Sequence, residues 1–224
     1  NKERNWDEQV LGDVMKKIAG ERELTPVIDS ALGALKYDWL GQQDESDFHF
    51  LERLARRLGG LYTEKDGKLI FAKRGSGLTS AGAALTGIAI TPEVLQPGSG
   101  RVRFSGRSKY KDVKASYTDK ATRKKTDVSE ESAEDGEATY RIGEPFADEA
   151  EAKQAAKAKA EELKRRTLKM SATIVGNPAA RAGAPASFQR CRPGIDGIPF
   201  ILETATHRFS KSGYVTGLDG EQKV

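Results

Sequence analysis

One amphipathic helix with marked ends, over residues 44–58, constrains the fold more than any other part of the sequence. Asp44 or Ser46 can accept hydrogen bonds from the free backbone amides of its first turn, and Gly59 and Gly60 can end it. Its apolar residues recur at three- and four-residue spacing along one side: Phe48, Leu51, Leu54, Ala55 and Leu58. The pattern therefore predicts a helix with one face packed against a protein core.

The segments around this helix predict a mixed helical and hairpin region. Asp66 and Gly67 readily adopt the positive φ of a tight turn, so we expect residues 61–64 and 68–73 to pair as a hairpin. The earlier segments are, in chain order, a predicted helix, a short extended segment and a segment of undetermined type: 6–20, 26–28 and 31–43.

A change in composition after residue 73 predicts a second region built from strands. Residues 74–100 are rich in Gly, Ser, Thr, Ala and Pro, which indicates a linker that contains or leads into an edge strand at 85–90. Strands are then predicted on both sides of the charged part of the chain: 101–104, 112–117, 139–142, 169–175, 186–190, 200–207 and 214–218. Spacing of about ten residues in the last part is typical of an antiparallel barrel or sandwich.

An alanine-rich helix is predicted between these strands, over residues 148–166. Asp148 and Glu151 have the spacing of a capping box, and the many alanines give the segment a high helix propensity. Surface ion pairs are expected where opposite charges lie four residues apart: Glu149 with Lys153, Glu161 with Arg165, and Glu162 with Arg166.

The net charge of +4 conceals two adjacent blocks of opposite sign. Residues 101–127 hold ten Lys and Arg against three Asp, and residues 128–151 hold nine acidic residues against Arg141 alone. The tract 118–138 has Val128 as its one large apolar residue, so we expect a mobile, solvated excursion from a hairpin. Contact with a neighbouring subunit or another protein is the alternative for this tract.

Composition excludes several kinds of site. Cys191 is the one cysteine, so the chain forms no internal disulfide, and His49 and His207 are too few to complete the usual zinc site. No run of about 18 apolar residues is present, so we expect no membrane partner. The glycines match neither GxxxxGK[ST] nor GxGxxG, and the sequence therefore predicts no cofactor.

No constellation of residues predicts catalysis. Glu203 and His207 lie four residues apart and Ser210 follows. On a strand, residues four apart lie on the same face, where such a pair is explained by packing, and no nucleophile motif accompanies them. The carboxylates that a glycosidase could use lie in the charged tract, where they stay solvated: Glu130, Glu131 and Glu134. We therefore expect no catalytic and no metal-binding residues.

The basic block leaves nucleic-acid binding open as an alternative. Residues 101–125 could neutralise phosphates, and Tyr110 and Tyr117 could stack on bases. The adjacent acidic block would repel the same phosphates, so nucleic acid is not the partner that we expect.

Two motifs, one in each half of the chain, carry a resemblance to a known family. The first is SD-x-x-FL-x-R-L-A-x-x-x-G, which matches at Ser46, Asp47, Phe50, Leu51, Arg53, Leu54, Ala55 and Gly59. The second is H-x(5)-GY-x-T, which matches at His207, Gly213, Tyr214 and Thr216. In both motifs and in the order of the elements between them, the chain resembles bacteriophage tail hub proteins of the late-control gene D family.

This resemblance implies a structural protein and not an enzyme. Such hubs are similar to one another in having two related barrels and a mixed helical region, and type VI secretion spike hubs look related. Three copies form a pseudo-sixfold ring that joins the tail tube to the central spike. The resemblance thus implies a homotrimeric baseplate hub of a contractile phage or prophage tail, with the tube protein, the spike protein and other baseplate proteins as partners. The implied location is the virion tail, after assembly in the bacterial host cytoplasm.

The expected fold class is α+β, with two domains. Residues 1–95 would form a mixed helix and hairpin domain with a linker, and residues 96–224 an antiparallel β-barrel with the charged loop 118–138 and the inserted helix 148–166. The family's first barrel is absent, and the sequence starts without Met, so we expect a truncated or processed chain. The alternatives to a hub are a nucleic-acid-binding module and a peptidoglycan-binding or peptidoglycan-hydrolysing tail protein.

Overall fold

The computed structural model describes residues 1–75, 77, 79, 83–106, 109–119, 122–133 and 135–224, which adopt an α+β fold composed mostly of strands. The helices are α1 Leu11–Glu21, α2 Ser30–Gly33, α3 Asp47–Arg57 and α4 Glu149–Arg166. The strands are β1 Lys2–Val10, β2 Thr25–Ile28, β3 Lys36–Glu45, β4 Gly60–Lys65, β5 Lys68–Lys73, β6 Ile88–Ile90, β7 Arg101–Phe104, β8 Tyr110–Thr118, β9 Lys125–Glu131, β10 Ala138–Phe146, β11 Leu168–Val175, β12 Pro185–Phe188, β13 Phe200–Ser210 and β14 Gly213–Gln222.

The chain divides into two compact units that are interleaved along the sequence. The first unit comprises Asn1–Arg74, Ala115–Val128 and Gly143–Ala158, and the second comprises Gly75–Lys114, Ser129–Ile142 and Lys159–Val224. The domains predicted from the sequence, 1–95 and 96–224, are contiguous instead, and that division stays a prediction.

The core of the first unit lies around α1 and α3. The side chains that these helices bury completely are Leu11, Met15, Ile18, Phe50, Leu51 and Leu54. A three-stranded sheet supplies further core residues: β2 runs parallel to β5, and β4 pairs antiparallel with β5. The predicted hairpin is confirmed, with positive φ at both Asp66 (51°) and Gly67 (70°).

The first helix is shorter than the sequence predicts. The apolar spacing predicts a helix over 6–20, but α1 begins at Leu11, and the residues before it form β1, which pairs antiparallel with β3. Trp6 lies opposite Leu40 in this ladder and is buried, while Asn5 and Asp7 on either side of it are exposed. Burial against β3 therefore overrides the helical spacing, because a strand can bury every second residue. The segment 31–43, which the sequence could not assign, contributes to α2 and β3.

The second unit contains a six-stranded sheet in the order β6-β12-β13-β14-β11-β7, with β6 and β7 at its edges among the described residues. Its buried side chains form a separate core: Ile88, Ile90, Leu168, Met170, Ile174, Phe188, Phe200, Leu202 and Leu218. The strand predicted within 85–90 is Ile88–Ile90, and it pairs in parallel with β12, which departs from the expected antiparallel arrangement. A parallel pair is possible here because almost a hundred residues separate the two strands and can make the crossover.

The charged tract is more ordered than its composition predicts. The expectation of a mobile excursion over 118–138 is wrong for Lys125–Glu131, which forms β9 and pairs with β8 in a sheet of order β10-β8-β9. Backbone hydrogen bonds also fix the segment after it: the Ser132 amide donates to the Lys111 carbonyl at 2.9 Å. Ladder hydrogen bonds thus order a segment that has little apolar side chain to bury. Residues 120, 121 and 134 of this tract lie outside the described residues.

Helix α4 occupies the alanine-rich segment and begins with a capping interaction. The Asp148 carboxylate accepts a hydrogen bond from the Glu151 amide at 2.8 Å, and the Glu151 carboxylate accepts one from the Ala147 amide at 3.1 Å. The expected surface ion pairs form at 2.6 Å for Glu149 with Lys153, 3.9 Å for Glu161 with Arg165 and 2.7 Å for Glu162 with Arg166. Within the described ranges, no helix has the length and apolarity needed to cross a membrane.

Truncation of Leu54 tests the α3 packing. Leu54 is fully buried, so Leu54→Ala should lower the free energy of unfolding by about 2–5 kcal/mol through the lost burial and the cavity that remains. Chemical denaturation measures this change. Leu61→Ala is the matched control because the Leu61 side chain is 46% exposed, and it should have little effect. Equal unfolding midpoints for L54A and the unmodified chain would contradict the placement of α3.

Candidate functional site

The two motifs form two separate side-chain clusters, one in each compact unit. The first, which we name the α3 cluster, consists of Lys2, Arg4, Glu21, Gln42, Ser46 and Asp47. The second, which we name the hairpin clasp, consists of Asn177, Ala180, His207, Phe209, Tyr214 and Thr216. Each cluster is described from its hydrogen bonds below.

Ser46 is the N-cap of α3. Its backbone is extended, with φ −71° and ψ 159°, and its hydroxyl oxygen accepts a hydrogen bond from the His49 amide at 3.2 Å. Of the two caps that the sequence allowed, the structure therefore selects Ser46. Asp44 lies two residues earlier with a positive φ of 46°.

Asp47, the first residue of α3, has a buried carboxylate with three neighbours that donate hydrogen bonds to it. Lys2 Nζ donates at 2.7 Å and Gln42 Nε2 at 3.0 Å, and the Arg4 guanidinium forms a further ion pair. An ionised carboxylate that is only 5% exposed costs several kcal/mol unless such partners neutralise it. The carboxylate thus holds strand β1 against the start of α3.

Opposing effects set the pKa values in this cluster. Burial alone would raise the pKa of Asp47, but hydrogen bonds from Lys2 and Gln42 and the positive charge of Arg4 outweigh it, so the pKa lies below the usual 3.8. Hydrogen bonds from Lys2 and Arg4 lower the pKa of Glu21 below its usual 4.5. Hydrogen bonds to Asp47 and Glu21 raise the pKa of Lys2. All of these shifts favour the charged forms.

The remaining residues of the first motif pack the helix. Phe50, Leu51 and Leu54 are completely buried. Gly59 follows the helix with φ +68°, and a Cβ at this position would lie 2.8 Å from the Cβ of Ala158. Gly59 therefore serves both as a left-handed stop and as the point where the end of α3 approaches α4 closely.

A second charge pair in this unit, which is partly buried, has no signal in the sequence. Arg57, near the end of α3, donates to the Glu151 carboxylate at 3.2 Å and lies over the Phe146 ring at 4.6 Å. Burial raises the pKa of the adjacent Tyr37, and the charge of Glu151 adds to the shift. The partners are 94 residues apart, so no spacing rule could have paired them.

His207 links the β13–β14 hairpin to the loop that follows β11. Its Nε2 lies 3.1 Å from the Ala180 carbonyl oxygen, so in the neutral ring this nitrogen carries the proton and donates. Nδ1 then accepts from the Tyr214 hydroxyl at 2.7 Å, with the Thr216 hydroxyl also 3.2 Å away. Thr216 in turn accepts from the Asn177 amide at 3.0 Å. The residues of the second motif thus form one connected set of hydrogen bonds.

Gly213 and Tyr214 shape the end of this hairpin. Gly213 starts β14 with φ +117°, a conformation that suits glycine. The Tyr214 ring stacks on Phe209 with a centroid distance of 4.2 Å and an interplanar angle of 12°. A Cβ at Gly176 would lie 1.9 Å from the Tyr214 ring, so the loop passes directly against it. Phe209 itself is 77% exposed and leaves an aromatic surface at the tip.

The structure does not bring Glu203, His207 and Ser210 together as a catalytic set. Glu203 lies 3.8 Å from Lys169, and Ser210 shares a hydrogen bond of 2.8 Å with Ser212. Within the part of the chain that the structure describes, no hydrogen bond links His207 to either of the other two. Its ring nitrogens face the groups of the hairpin clasp instead.

The residues that the sequence offered for metal or nucleic-acid binding lie as follows in the structure. No set of three His, Cys, Asp or Glu side chains among the described residues could hold a metal ion. The Tyr110 ring packs edge-on against Tyr140 with the centroids 5.4 Å apart, and burial together with Glu149 raises the pKa of Tyr117. Of the carboxylates in the charged tract, Glu130 and Glu131 end β9, and Glu134 lies outside the described residues.

One shallow pocket of about 210 Å³ lies on the face of the second unit's sheet that is opposite its core. Its lining includes Ser99, Ser171, Thr206, Arg208 and Asp219 around Gly217. The lack of a side chain at Gly217 creates the depression between β11 and β13.

Comparisons with known proteins identify related sequences. The family model described as "Phage tail baseplate hub (GPD)" matches residues 1–213. The probable baseplate hub protein of Escherichia phage 186 is 28% identical over 262 aligned residues, and that of Escherichia phage P2 is 26% identical over 265. Both alignments cover all of this chain and 67% of the relative.

Solved tail proteins and a type VI secretion protein share the fold. The 43 kDa tail protein of prophage MuSo2 from Shewanella oneidensis has a TM-score of 0.69 at 16% identity, covering 98% of this chain and 67% of that one. A tail protein from Neisseria meningitidis MC58 has a TM-score of 0.68 at 14% identity, covering 98% and 68%. The E. coli c3393 protein, a type VI secretion component, has a TM-score of 0.60 at 11% identity, covering 100% and 51%.

Acid sensitivity tests the α3 cluster. Because the folded-state pKa values of Asp47 and Glu21 are lowered, the stability that these carboxylates contribute is present above their usual pKa values of 3.8 and 4.5 and is lost as pH falls through the folded values. Asp47→Asn should lower the free energy of unfolding at pH 7 by about 1.5–3 kcal/mol, the range for hydrogen bonds to charged groups. Between pH 5 and 3, the free energy of unfolding of D47N should also fall less than that of the unmodified chain, and urea denaturation at each pH measures it.

Asp13→Asn is the matched control for this test. The Asp13 carboxylate pairs with Lys16 at the surface and is 59% exposed, so its removal should change stability by less than about 1 kcal/mol. Parallel pH profiles for D47N and the unmodified chain would contradict the role assigned to Asp47.

Removal of one hydroxyl tests the hairpin clasp. Tyr214→Phe keeps the ring stacked on Phe209 but removes the donor to His207 Nδ1, so it should cost about 1 kcal/mol and speed amide exchange in the hairpin. Tyr110→Phe is the control at another partly buried tyrosine, and it should stay within about 0.5 kcal/mol. Unchanged exchange in Y214F would show that the hydroxyl does not hold the hairpin.

Proposed function

Because the chain belongs to the phage tail baseplate hub family, we propose that it joins the tail tube to the central spike of a contractile phage tail or a tail derived from one. The family match over residues 1–213 is the observation that carries this proposal. Membership also makes the chain a structural component of the virion tail.

We propose that the working form is a homotrimer. A hub between a sixfold tube and a threefold spike must present different symmetries on its two sides, and three subunits with two related barrels each would achieve this. This chain would supply one of the two barrels. The proposed neighbours are the tube protein, the spike protein and other baseplate proteins. Assembly would take place in the cytoplasm of the bacterial host.

The six-stranded sheet of the second unit is proposed as the wall of one barrel of this ring. Its edge strands, β6 and β7, are the places where the sheet must be closed or covered, because an open edge exposes unpaired backbone groups.

The proposed role needs no reacting groups. Asp47 and His207 are the motif residues whose side chains are of types often found in active sites. Both form hydrogen bonds to other residues of the same chain. These internal hydrogen bonds support a structural role, in which the protein acts through its folded surfaces.

Labelling of native tails tests the proposed function. Tail particles purified from the host that encodes this sequence should bind an antibody against the chain at the baseplate end, and quantitative mass spectrometry should count three copies per tail. An antibody against the tube protein is the control and should label the tail along its length. Label along the length with the hub antibody, or six copies per tail, would contradict the proposal.

A further inference from the structure

Strand β7 forms one edge of the six-stranded sheet. Among the described strands it pairs with β11 alone, in antiparallel orientation. The Ser105 amide, directly after β7, donates to the Thr167 carbonyl at 2.8 Å, and the direction of hydrogen bonding alternates along such a strand. The amides and carbonyls of Val102 and Phe104 therefore point away from β11, toward the side where a further strand could pair.

The core side of this edge carries an aromatic ring that is largely uncovered. Val102 lies opposite Met170 and packs against the core of the second unit. Phe104 lies two residues later, so its side chain is on the same side of the sheet, but it is 67% exposed. Apolar cover over Phe104 would remove this ring from water and extend the core of the sheet by one strand.

The opposite side of the same strand is basic. Arg101 and Arg103 are exposed, and neither has an ion-pair partner within the described ranges. Arg103 lies directly opposite Lys169, and like charges in this position destabilise a strand pair. The Lys169 ammonium lies 3.8 Å from the Glu203 carboxylate, but both side chains are more than a third exposed, so this pair offsets little of the repulsion. Added negative charge would therefore stabilise this side of β7.

Basic residues on an edge strand can also serve to keep other strands away. An edge that is protected in this way is expected to be polar on both sides, because an exposed aromatic ring favours the association that the charges prevent. Phe104 does not fit that pattern. An edge with charge on one side and apolar surface on the other instead matches a strand whose residues alternate in the same way.

We propose that β7 is a docking edge for an extended segment of another tail protein, in which acidic and apolar residues alternate. The segment adds a further strand to the sheet, and its backbone pairs with Val102 and Phe104. Its acidic side chains lie beside Arg101 and Arg103, and its apolar side chains cover Phe104. The inference rests on the proposed hub role, which gives this chain other tail proteins as neighbours.

The arrangement of this edge favours a polypeptide over nucleic acid. Phosphates could pair with Arg101 and Arg103, but Phe104 lies on the other side of the sheet, so a nucleic acid bound to the arginines would leave the ring uncovered. A β-strand reaches both sides at once, because successive side chains point to opposite faces. It also supplies the peptide groups that an edge strand can pair with.

Peptide binding tests the docking edge. The acidic probe is the peptide TEVEVEVT with blocked termini, the basic probe is TKVKVKVT, and the scrambled probe TEEVVVET keeps the acidic composition without the alternation. Isothermal titration calorimetry should show that the unmodified chain binds the acidic probe and that salt weakens this binding. The basic and scrambled probes should bind at least about tenfold more weakly.

Amide hydrogen exchange, followed by NMR, locates the bound probe. The Val102 and Phe104 amides should exchange more slowly once the acidic probe is bound, because they then donate to its carbonyls. The Arg101 and Arg103 amides serve as the internal control. They point toward β11 by the same alternation, so their exchange should change much less.

Three variants separate charge, apolar cover and net charge. R101E/R103E should lose at least about tenfold in affinity for the acidic probe and gain affinity for the basic probe, because the charges are exchanged. Phe104→Ser should weaken the acidic probe by about two- to fivefold through the lost cross-strand contact. The matched control is R181E/R192E, which changes the same number of exposed arginines in the same unit and should bind as the unmodified chain does. Thermal melting confirms that each variant is folded.

The docking edge would be overturned by an acidic probe that does not bind, by equal binding of the scrambled probe, or by unchanged exchange at Val102 and Phe104. Tighter binding of a single-stranded DNA oligonucleotide that R101E/R103E abolishes would assign the edge to nucleic acid instead. Exchange at these two amides that slows with protein concentration, without any peptide, would assign it to a second copy of this chain. The labelling of tails decides the hub role separately, because its outcome does not depend on β7.

Discussion

A buried carboxylate at the start of α3 is the constraint on which the first unit depends. Asp47 is charged and almost fully covered, so the chain must bring cations to it, and these come from the first four residues. This requirement places β1, and β1 pairs with β3. The ion pairs, the ladder and the apolar core around α1 and α3 thereby favour the same arrangement. Loss of the charge would remove one of the interactions that place β1.

In the second unit, the hairpin clasp holds a loop and a hairpin together through side-chain hydrogen bonds. His207 accepts and donates at once, and this couples the loop after β11 to the tip of β13 and β14. The residues of the two family motifs thus cap a helix, fill the core, allow two segments to pass close together at a glycine, or form hydrogen bonds within the chain. Such motifs fit a hub, because a part that couples neighbours by shape must hold its loops and edges in fixed positions.

Local signals predicted much of this fold, and tertiary contacts account for what they missed. The α3 helix and the Asp66-Gly67 hairpin follow from caps, spacing and turn residues, which act over a few positions. The prediction was wrong for Phe48, which the spacing put on the buried face of α3 and which is 45% exposed. The start of α1 was placed too early because residues 6–10 fit a helical stripe, and their pairing with β3 depends on residues 26 to 34 positions away. The order in β9 was missed because ladder hydrogen bonds leave no mark in composition. The role of the signature residues stays a prediction. The partners of Asp47, which are Lys2 and Arg4, and the pairing of Arg57 with Glu151 could not be predicted, because ion-pair partners distant in sequence follow no spacing rule.

Cryo-electron microscopy of intact tails tests most directly whether this chain works as a hub through shape and symmetry. The account predicts three copies around the tail axis at the junction of tube and spike. A single copy, a position away from the axis, or a bound substrate enclosed by the motif residues would contradict it.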